Sequence, residues 1–259
     1  MRASAGRALA VRALAAAALV GLVVPAWLTP VATQLPIVGD DRLAGLEWRF
    51  VRIKYPYITE GTSIAQDFYG DEWLAVFESA RKGAFKALDR LRDEGVIKAW
   101  GLGVNRVEPI ELLLALDGPR PDGFLLAGRY TLLDHARALQ RVMPMVAEHE
   151  LGIVVGGPYS SGALVGGPNF EYAPAPPEIL AKVARIKAVA DRHGVSMKGA
   201  GLQFALANPV VAAVIPGASR PGRIAEDRAA LEEFIPADFW RELRSAGLVN
   251  PAAPLPTTD

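Results

Sequence analysis

From Asp71 onward, apolar and polar positions alternate in blocks that carry first a helical and then a strand period. Val76, Phe77, Ala80, Ala84, Leu88 and Leu91 recur at three- and four-residue steps. That spacing predicts one helix with an apolar stripe, stopped at Gly95. Val96–Val104 reads as a strand. Glu108 and Pro109 open a helix that carries Ile110, Leu113 and Leu114, with proline in its first turn. Gly123–Ala127 reads as a short strand and Leu132–His149 as a helix. The run Gly152–Val155 is apolar throughout, as in a strand buried on both faces. A loop rich in Gly, Pro and Ser covers Gly156–Pro177. Glu178–Arg192 predicts a helix with Ile179, Val183, Ile186 and Ala190 inward, ending at Gly194. Val210–Ile215 predicts another buried strand, and Pro221–Phe234 and Asp238–Ala246 predict helices. After Ala246 the tail is proline-rich and reads as loose.

Helices and strands in strict alternation imply parallel strands joined by crossovers, in a barrel or a doubly wound sheet. The first sixty residues differ. Arg2, Arg7 and Arg12 precede an unbroken apolar run, Ala13–Leu28, as in the first two regions of a signal peptide. The run is short for a membrane-spanning helix, which needs about 20 residues, and Pro25 interrupts it. Three readings stay open: a signal or anchor, translation from a wrong start or frame, or an ordinary structured segment. Further on, Arg49–Tyr55 alternates like an exposed strand that Pro56 ends.

Composition narrows the function classes. The 259 residues carry 28 basic and 28 acidic side chains, so no general basic excess points to nucleic acid. A hydrophobic content of 51% argues against a disordered chain. Without cysteine there is no disulfide, thiol nucleophile or thiolate zinc site. The three histidines, His135, His149 and His193, are too few for a His-rich metal site and are expected at the surface or at helix caps.

The strongest candidate for chemistry lies late in the chain. Strand Val210–Ile215 runs into Pro216-Gly217-Ala218-Ser219-Arg220, and a helix starts near Pro221. Free N–H groups at that start, Ser219, Arg220 and Arg223 would suit an anion. An ordinary helix cap with exposed arginines reads equally from the same residues.

The segment Gly201–Ala230, with its P-V-V-A-A-V-I-P-G-A stretch, resembles the last strand of the aldo/keto reductases. Three further stretches agree in order: Gly83–Asn105, Phe124–Leu133 (FLLAGRYTLL) and Ile153–Leu164 (IVVGGPYSSGAL). The last two look like the branch containing D-threo-aldose 1-dehydrogenase, L-fucose dehydrogenase and pyridoxal 4-dehydrogenase. The resemblance covers Ile64–Asn250. It implies an α/β fold, an incomplete (β/α)8 TIM barrel of roughly the last four β/α units, with an atypical N-terminal segment over residues 1–63 and a loose tail over 251–259.

By the same resemblance the chain is an NAD(P)-dependent oxidoreductase acting on an aldose or an aldehyde/alcohol. Asn105 would hold the nicotinamide carboxamide, and Tyr159 and Ser160 lie in the pyrophosphate loop. Gly217, Ala218, Ser219, Arg220 and Arg223 would face the adenosine phosphate, with Glu226 and Asp227 near the adenine. NAD and NADP both stay open, because Ser219 stands where a basic residue is frequent.

Four departures matter in the matched part. Val104 stands in place of the Ser that pairs with Asn105, Ala127 replaces a carboxamide-binding Gln, Gly156 stands where a stacking Tyr is common, with Tyr159 in the loop instead, and Asp227 replaces an Asn. The family's catalytic Asp, Tyr, Lys and His are also not recognisable in residues 1–63. Lys54, Tyr55 and Tyr57 have suitable types, but they are sequence neighbours rather than residues from separate units. No catalytic residue is therefore assigned, and a non-catalytic nucleotide-binding half-barrel or misread product is the alternative. The resemblance implies a cytoplasmic protein, with export or membrane anchoring through residues 1–28 as the other reading. An exposed barrel edge is expected to promote self-association.

Overall fold

The computed structural model describes residues 73–257, with side chains from Leu74 onward. All belong to one unit of chain, Gly61–Asp259. The apolar run 13–28, the strand Arg49–Tyr55 and the remainder of segment 1–63 lie outside the described residues.

Four parallel strands form the centre, in the order β1 (Gly101–Val104), β2 (Gly123–Ala127), β3 (Gly152–Gly156) and β6 (Val211–Ile215). Helices α1 (Trp73–Lys82) and α2 (Ala84–Asp93) precede β1. Helix α3 (Glu108–Ala115) links β1 to β2, and α4 (Met143–Glu148) links β2 to β3. A small antiparallel hairpin, β4 (Asn169–Phe170) with β5 (Ala173–Pro174), follows β3. Helices α5 (Pro177–His193) and α6 (Met197–Leu206) lead to β6, and α7 (Gly222–Leu231) and α8 (Ala237–Ser245) close the fold. This is the expected parallel α/β arrangement.

The sheet has two unlike faces. Phe124, Leu126, Ile153 and Val155 are buried on one, where α4 lies against β3 and α6 against β6. The other presents Gly103, Leu125, Val154 and Ala213, matched in register and small or partly open. Two expected strands are therefore less enclosed than their apolar sequences implied. Strand β3 is half-open at Gly152 and Val154, and β6 is mostly exposed. Among the described residues β6 pairs on one side only, which leaves its flank open.

Local chemistry explains the other corrections. The stripe ending at Gly95 is two helices, broken at Gly83. The break turns Phe85 inward onto Trp100, with ring centroids 5.4 Å apart, and leaves Val76 and Ala84 exposed. The strand expected over Val96–Val104 begins only at Gly101. Before it, the Val96 and Ile97 N–H groups both bond back to the Leu91 carbonyl, and Val96 is 67% exposed.

The helix expected over Leu132–His149 starts only after His135. Thr131 intervenes. Its N–H donates to the Asp134 carbonyl at 2.7 Å and its hydroxyl accepts from the Asp134 N–H at 3.1 Å, closing a turn instead. A π-turn at Ala138–Val142 then precedes α4, where Pro144 has no N–H to give to the regular ladder. Helix α6 was not marked by periodicity, because Ala200, Leu202, Phe204 and Ala205 are all buried and no polar stripe alternates with them.

The tail is seated rather than loose as far as Ala253. Leu248, Val249 and Ala253 are buried, and Arg244 donates to the Ala253 carbonyl at 2.7 Å. His135 is the anchor. It is 4% exposed, not a surface group, and its ring lies 4.8 Å from that of Phe204. His149 and His193 do sit at helix ends, beside Arg120 and Glu242.

The His135 Nε2 accepts the Asn250 N–H at 3.0 Å, so Nδ1 carries the proton and donates to the Thr131 carbonyl at 2.8 Å. Burial lowers its pKa from 6.5 to about 4, although the Thr131 bond works the other way. The unfolded ring thus gains a proton before the folded one. The stability tied to the neutral ring is complete above pH 6.5 and is lost as pH falls towards 4. The full loss is about 3 kcal/mol. Urea denaturation from about pH 7 down to about pH 4.5 should show this slope in the native chain. His135→Gln, which cannot ionise, should flatten it; equal slopes in both proteins would exclude His135 as the source.

Candidate functional site

The C-terminal ends of β1, β2 and β3 converge on a recess. Asn105 follows β1, Gly128 and Arg129 follow β2, and Gly157 and Ser160 follow β3. The two glycines have a positive φ, 71° and 59°. This geometry lets the Gly128 N–H reach the Gly156 carbonyl at 2.9 Å and the Gly157 N–H reach Ile215 at 3.2 Å. The strand ends are thereby stitched together. A Cβ added at Gly128 or Gly157 would meet nothing within 4 Å, so bare backbone faces open space.

The upper rim comes from the hairpin. Phe170, Glu171 and Tyr172 line the recess beside Ser161. Its cavity volume is only about 40 Å³, against the roughly 300–1,000 Å³ of a complete ligand pocket. The described residues therefore enclose no complete ligand pocket at this recess. Arg129 lines it, with Nε donating to the Asn105 carbonyl at 2.8 Å and Nη1 to Asp134 at 3.0 Å. Nη1 also pairs with Glu171. Burial opposes its charge, but the two carboxylates outweigh it and raise its pKa. Nothing in the sequence singled out Arg129, Asp134 or Glu171, since their partners lie in separate segments.

A second cluster forms where β6 runs into α7. Gly217, Ala218, Ser219, Arg220 and Arg223 are all exposed along this stretch. Arg220 pairs with Glu226 at 2.6 Å, and Lys198 of α6 reaches Glu226 at 2.8 Å and Asp227 at 3.1 Å. These bonds hold the Glu226 pKa below its usual range.

Tyr159 and Asp227 are placed differently from the rest of the predicted set. Both are buried, and the Tyr159 hydroxyl donates to Asp227 Oδ1 at 2.7 Å. Tyr159 is thus a root of its loop rather than an open face for stacking. Its neighbour Ser160 is also buried, with its hydroxyl 2.9 Å from that of Thr131. The two clusters consequently share one loop, 157–161: Ser160 lines the recess and Tyr159 ties to α7.

Lys198, Asp227 and Tyr159 resemble an acid–base set in type only. A tyrosine acting on a carbonyl near neutral pH needs a lowered pKa. Burial and then the Asp227 carboxylate push this phenol upward instead. The trio is suited to holding the loop, not to proton transfer. Among the described residues no group of three His, Asp or Glu could hold a metal ion.

Comparison with known proteins bears on the family and the fold. The sequence model of the Aldo/keto reductase family matches residues 67–247. Pyridoxal 4-dehydrogenase from Microbacterium luteolum is 37% identical over 174 residues, covering 66% of this chain and 50% of its own. D-threo-aldose 1-dehydrogenase from a Pseudomonas species is 37% identical over 177 residues, covering 66% and 52%. The chain therefore spans about half the length of these relatives. Among solved structures, an aldo-keto reductase from Bacillus halodurans in its holo form matches with a TM-score of 0.50 and 22% identity. That match covers 65% of this chain and 56% of the other, and bears on the fold alone.

The Tyr159–Asp227 bond is open to direct test. Tyr159→Phe should destabilise the fold by about 1–3 kcal/mol, because a buried carboxylate oxygen loses its donor. Chemical denaturation measures this; an unchanged midpoint would mean that Lys198 alone satisfies Asp227.

Proposed function

The chain belongs to the aldo/keto reductase family, and on that premise we propose that residues 64–250 form the cofactor-holding part of an NAD(P)-dependent oxidoreductase. Its substrates would be aldoses or related aldehydes and alcohols, as the names of its relatives suggest. The observation that carries this reading is the recess at the C-terminal ends of three parallel strands, where barrel enzymes of this architecture keep their sites.

The residues fit a dinucleotide in kind. Bare backbone at Gly128, Gly157 and Gly217 leaves room for a close approach. Asn105 offers an amide beside the recess, where it would grip the nicotinamide. Exposed Arg220 and Arg223 at the start of α7 would meet the adenosine phosphate. Glu226 and Asp227 would set the outer edge, although Asp227 is already engaged by Tyr159 and Lys198. A bound nicotinamide would supply the hydride chemistry; these residues would only hold and orient it. NAD and NADP are both accommodated in this reading.

Two observations favour a second reading. The family's catalytic Asp, Tyr, Lys and His are not recognisable in residues 1–63, and the buried Tyr159 is held protonated. On that reading the chain binds the dinucleotide and does not turn over. Among the described residues β6 pairs on one side only, which also supports self-association through the sheet edge. No helix among the described residues is long and apolar enough to cross a membrane.

One set of measurements separates these readings. The full chain is titrated with NAD+ and NADP+, then assayed with L-fucose, D-arabinose-type aldoses and pyridoxal, with light scattering on the same sample. Binding of at least one cofactor, turnover at the blank level and a dimer or larger species are expected. Failure to bind either cofactor overturns the main proposal. Turnover above blank overturns the silent reading, and a monodisperse monomer overturns self-association.

A further inference from the structure

The hairpin over the recess adopts a turn that its own sequence does not favour. Strands β4 and β5 are joined by two residues, Glu171 and Tyr172, with φ of 50° and 66°. Two successive positive φ values are the type I′ pattern, which selects Asn-Gly or Gly-Gly and disfavours Glu-Tyr. Such conformations persist only where surrounding structure holds them. Two ties from outside the hairpin do so. Arg129 pairs with the Glu171 carboxylate, and the Tyr172 N–H donates to the Ser161 hydroxyl at 3.1 Å.

The same guanidinium reaches the opposite side of the recess. Its Nε donates to the Asn105 carbonyl at 2.8 Å, and Asp134 braces it at 3.0 Å. One side chain therefore joins the end of β1, the turn after β2 and the hairpin rim. All of its charge is spent on protein partners, so it is placed to hold the walls rather than to take an anion. Arginine suits the task because its planar fork serves several acceptors in different directions at once, whereas a lysine is a single point charge.

We propose that Arg129 is the positioning residue of this recess: it straps the β4–β5 hairpin over the strand ends and fixes Asn105, so that affinity for the nicotinamide cofactor depends on it. The part concerning affinity rests on the reading that the recess takes the nicotinamide end. The strap itself does not.

The test uses the full chain as the native protein, Arg129→Met, Arg129→Lys and Glu171→Gln. Hydrogen–deuterium exchange over residues 168–175 is followed with no cofactor present, and each protein is titrated with NAD+ and NADP+. Arg129→Met should speed exchange at the hairpin about tenfold and weaken cofactor binding by a similar factor. Arg129→Lys should fall between it and the native chain. Glu171→Gln should free the hairpin as far as Arg129→Met does but weaken binding less, since the Asn105 tie remains. A merely stabilising arginine would leave the ratio of these two effects unchanged across the variants.

Unchanged hairpin exchange in Arg129→Met overturns the strap. Unchanged cofactor affinity in that variant, with binding measurable in the native chain, overturns the positioning role. Should Arg129→Met not fold, Glu171→Gln decides the strap and Arg129→Lys the positioning. If the native chain binds neither cofactor, the functional proposal fails while the exchange data still decide the strap.

Discussion

A buried hydrogen bond, 2.7 Å from the Tyr159 hydroxyl to the Asp227 carboxylate, joins the two parts of the candidate site. It roots loop 157–161, which carries Ser160 into the recess, onto the helix that carries Arg223 and follows Arg220. A carboxylate that is 5% exposed cannot be left with one lone partner at little cost. Tyr159 and Lys198 together meet that demand. The arrangement also bears on the phenol itself: burial and the hydrogen bond it donates to the Asp227 carboxylate both favour its protonated state. Holding and reacting are opposing demands on one hydroxyl, and here holding prevails.

The site is otherwise a product of the parallel sheet. Strands that run the same way end on the same side, so the residues following β1, β2 and β3 meet whatever their separation in sequence. Glycines at the strand ends let the backbone turn away at once, and Arg129 spans the gap that results. Family membership is consistent with this geometry, since the matched residues 67–247 contain every strand described.

Much of this fold was legible because its elements are short and strongly apolar. Gly123–Ala127 and the helix ending at Gly194 were readable almost to the residue: one is a run between turn residues, the other an amphipathic stripe with a left-handed cap. Leu132 and Leu133 misled, because burial in a bend leaves the same apolar spacing as a helix. Helix α6 was hidden for the opposite reason, being apolar almost all round. The tail was misjudged because its anchor, His135, lies far away in sequence and shows no polar signature. Of the proposed site residues, Asn105 and Ser160 were named through family resemblance, and the Arg220 region through its helix start as well. Arg129 was not, because a charged residue after a strand is ordinary until Glu171 and Asp134 are brought beside it. No local pattern encodes that meeting.

The central claim is that one continuous cofactor surface runs from Asn105 through loop 157–161 to the start of α7. Hydrogen–deuterium exchange of the full chain with and without saturating NAD+ or NADP+ tests it most directly. The account predicts slowed exchange in three separate stretches together: the residues after β1, the loop 157–161, and 217–223. Protection confined to one stretch, or falling elsewhere in the chain, would contradict it.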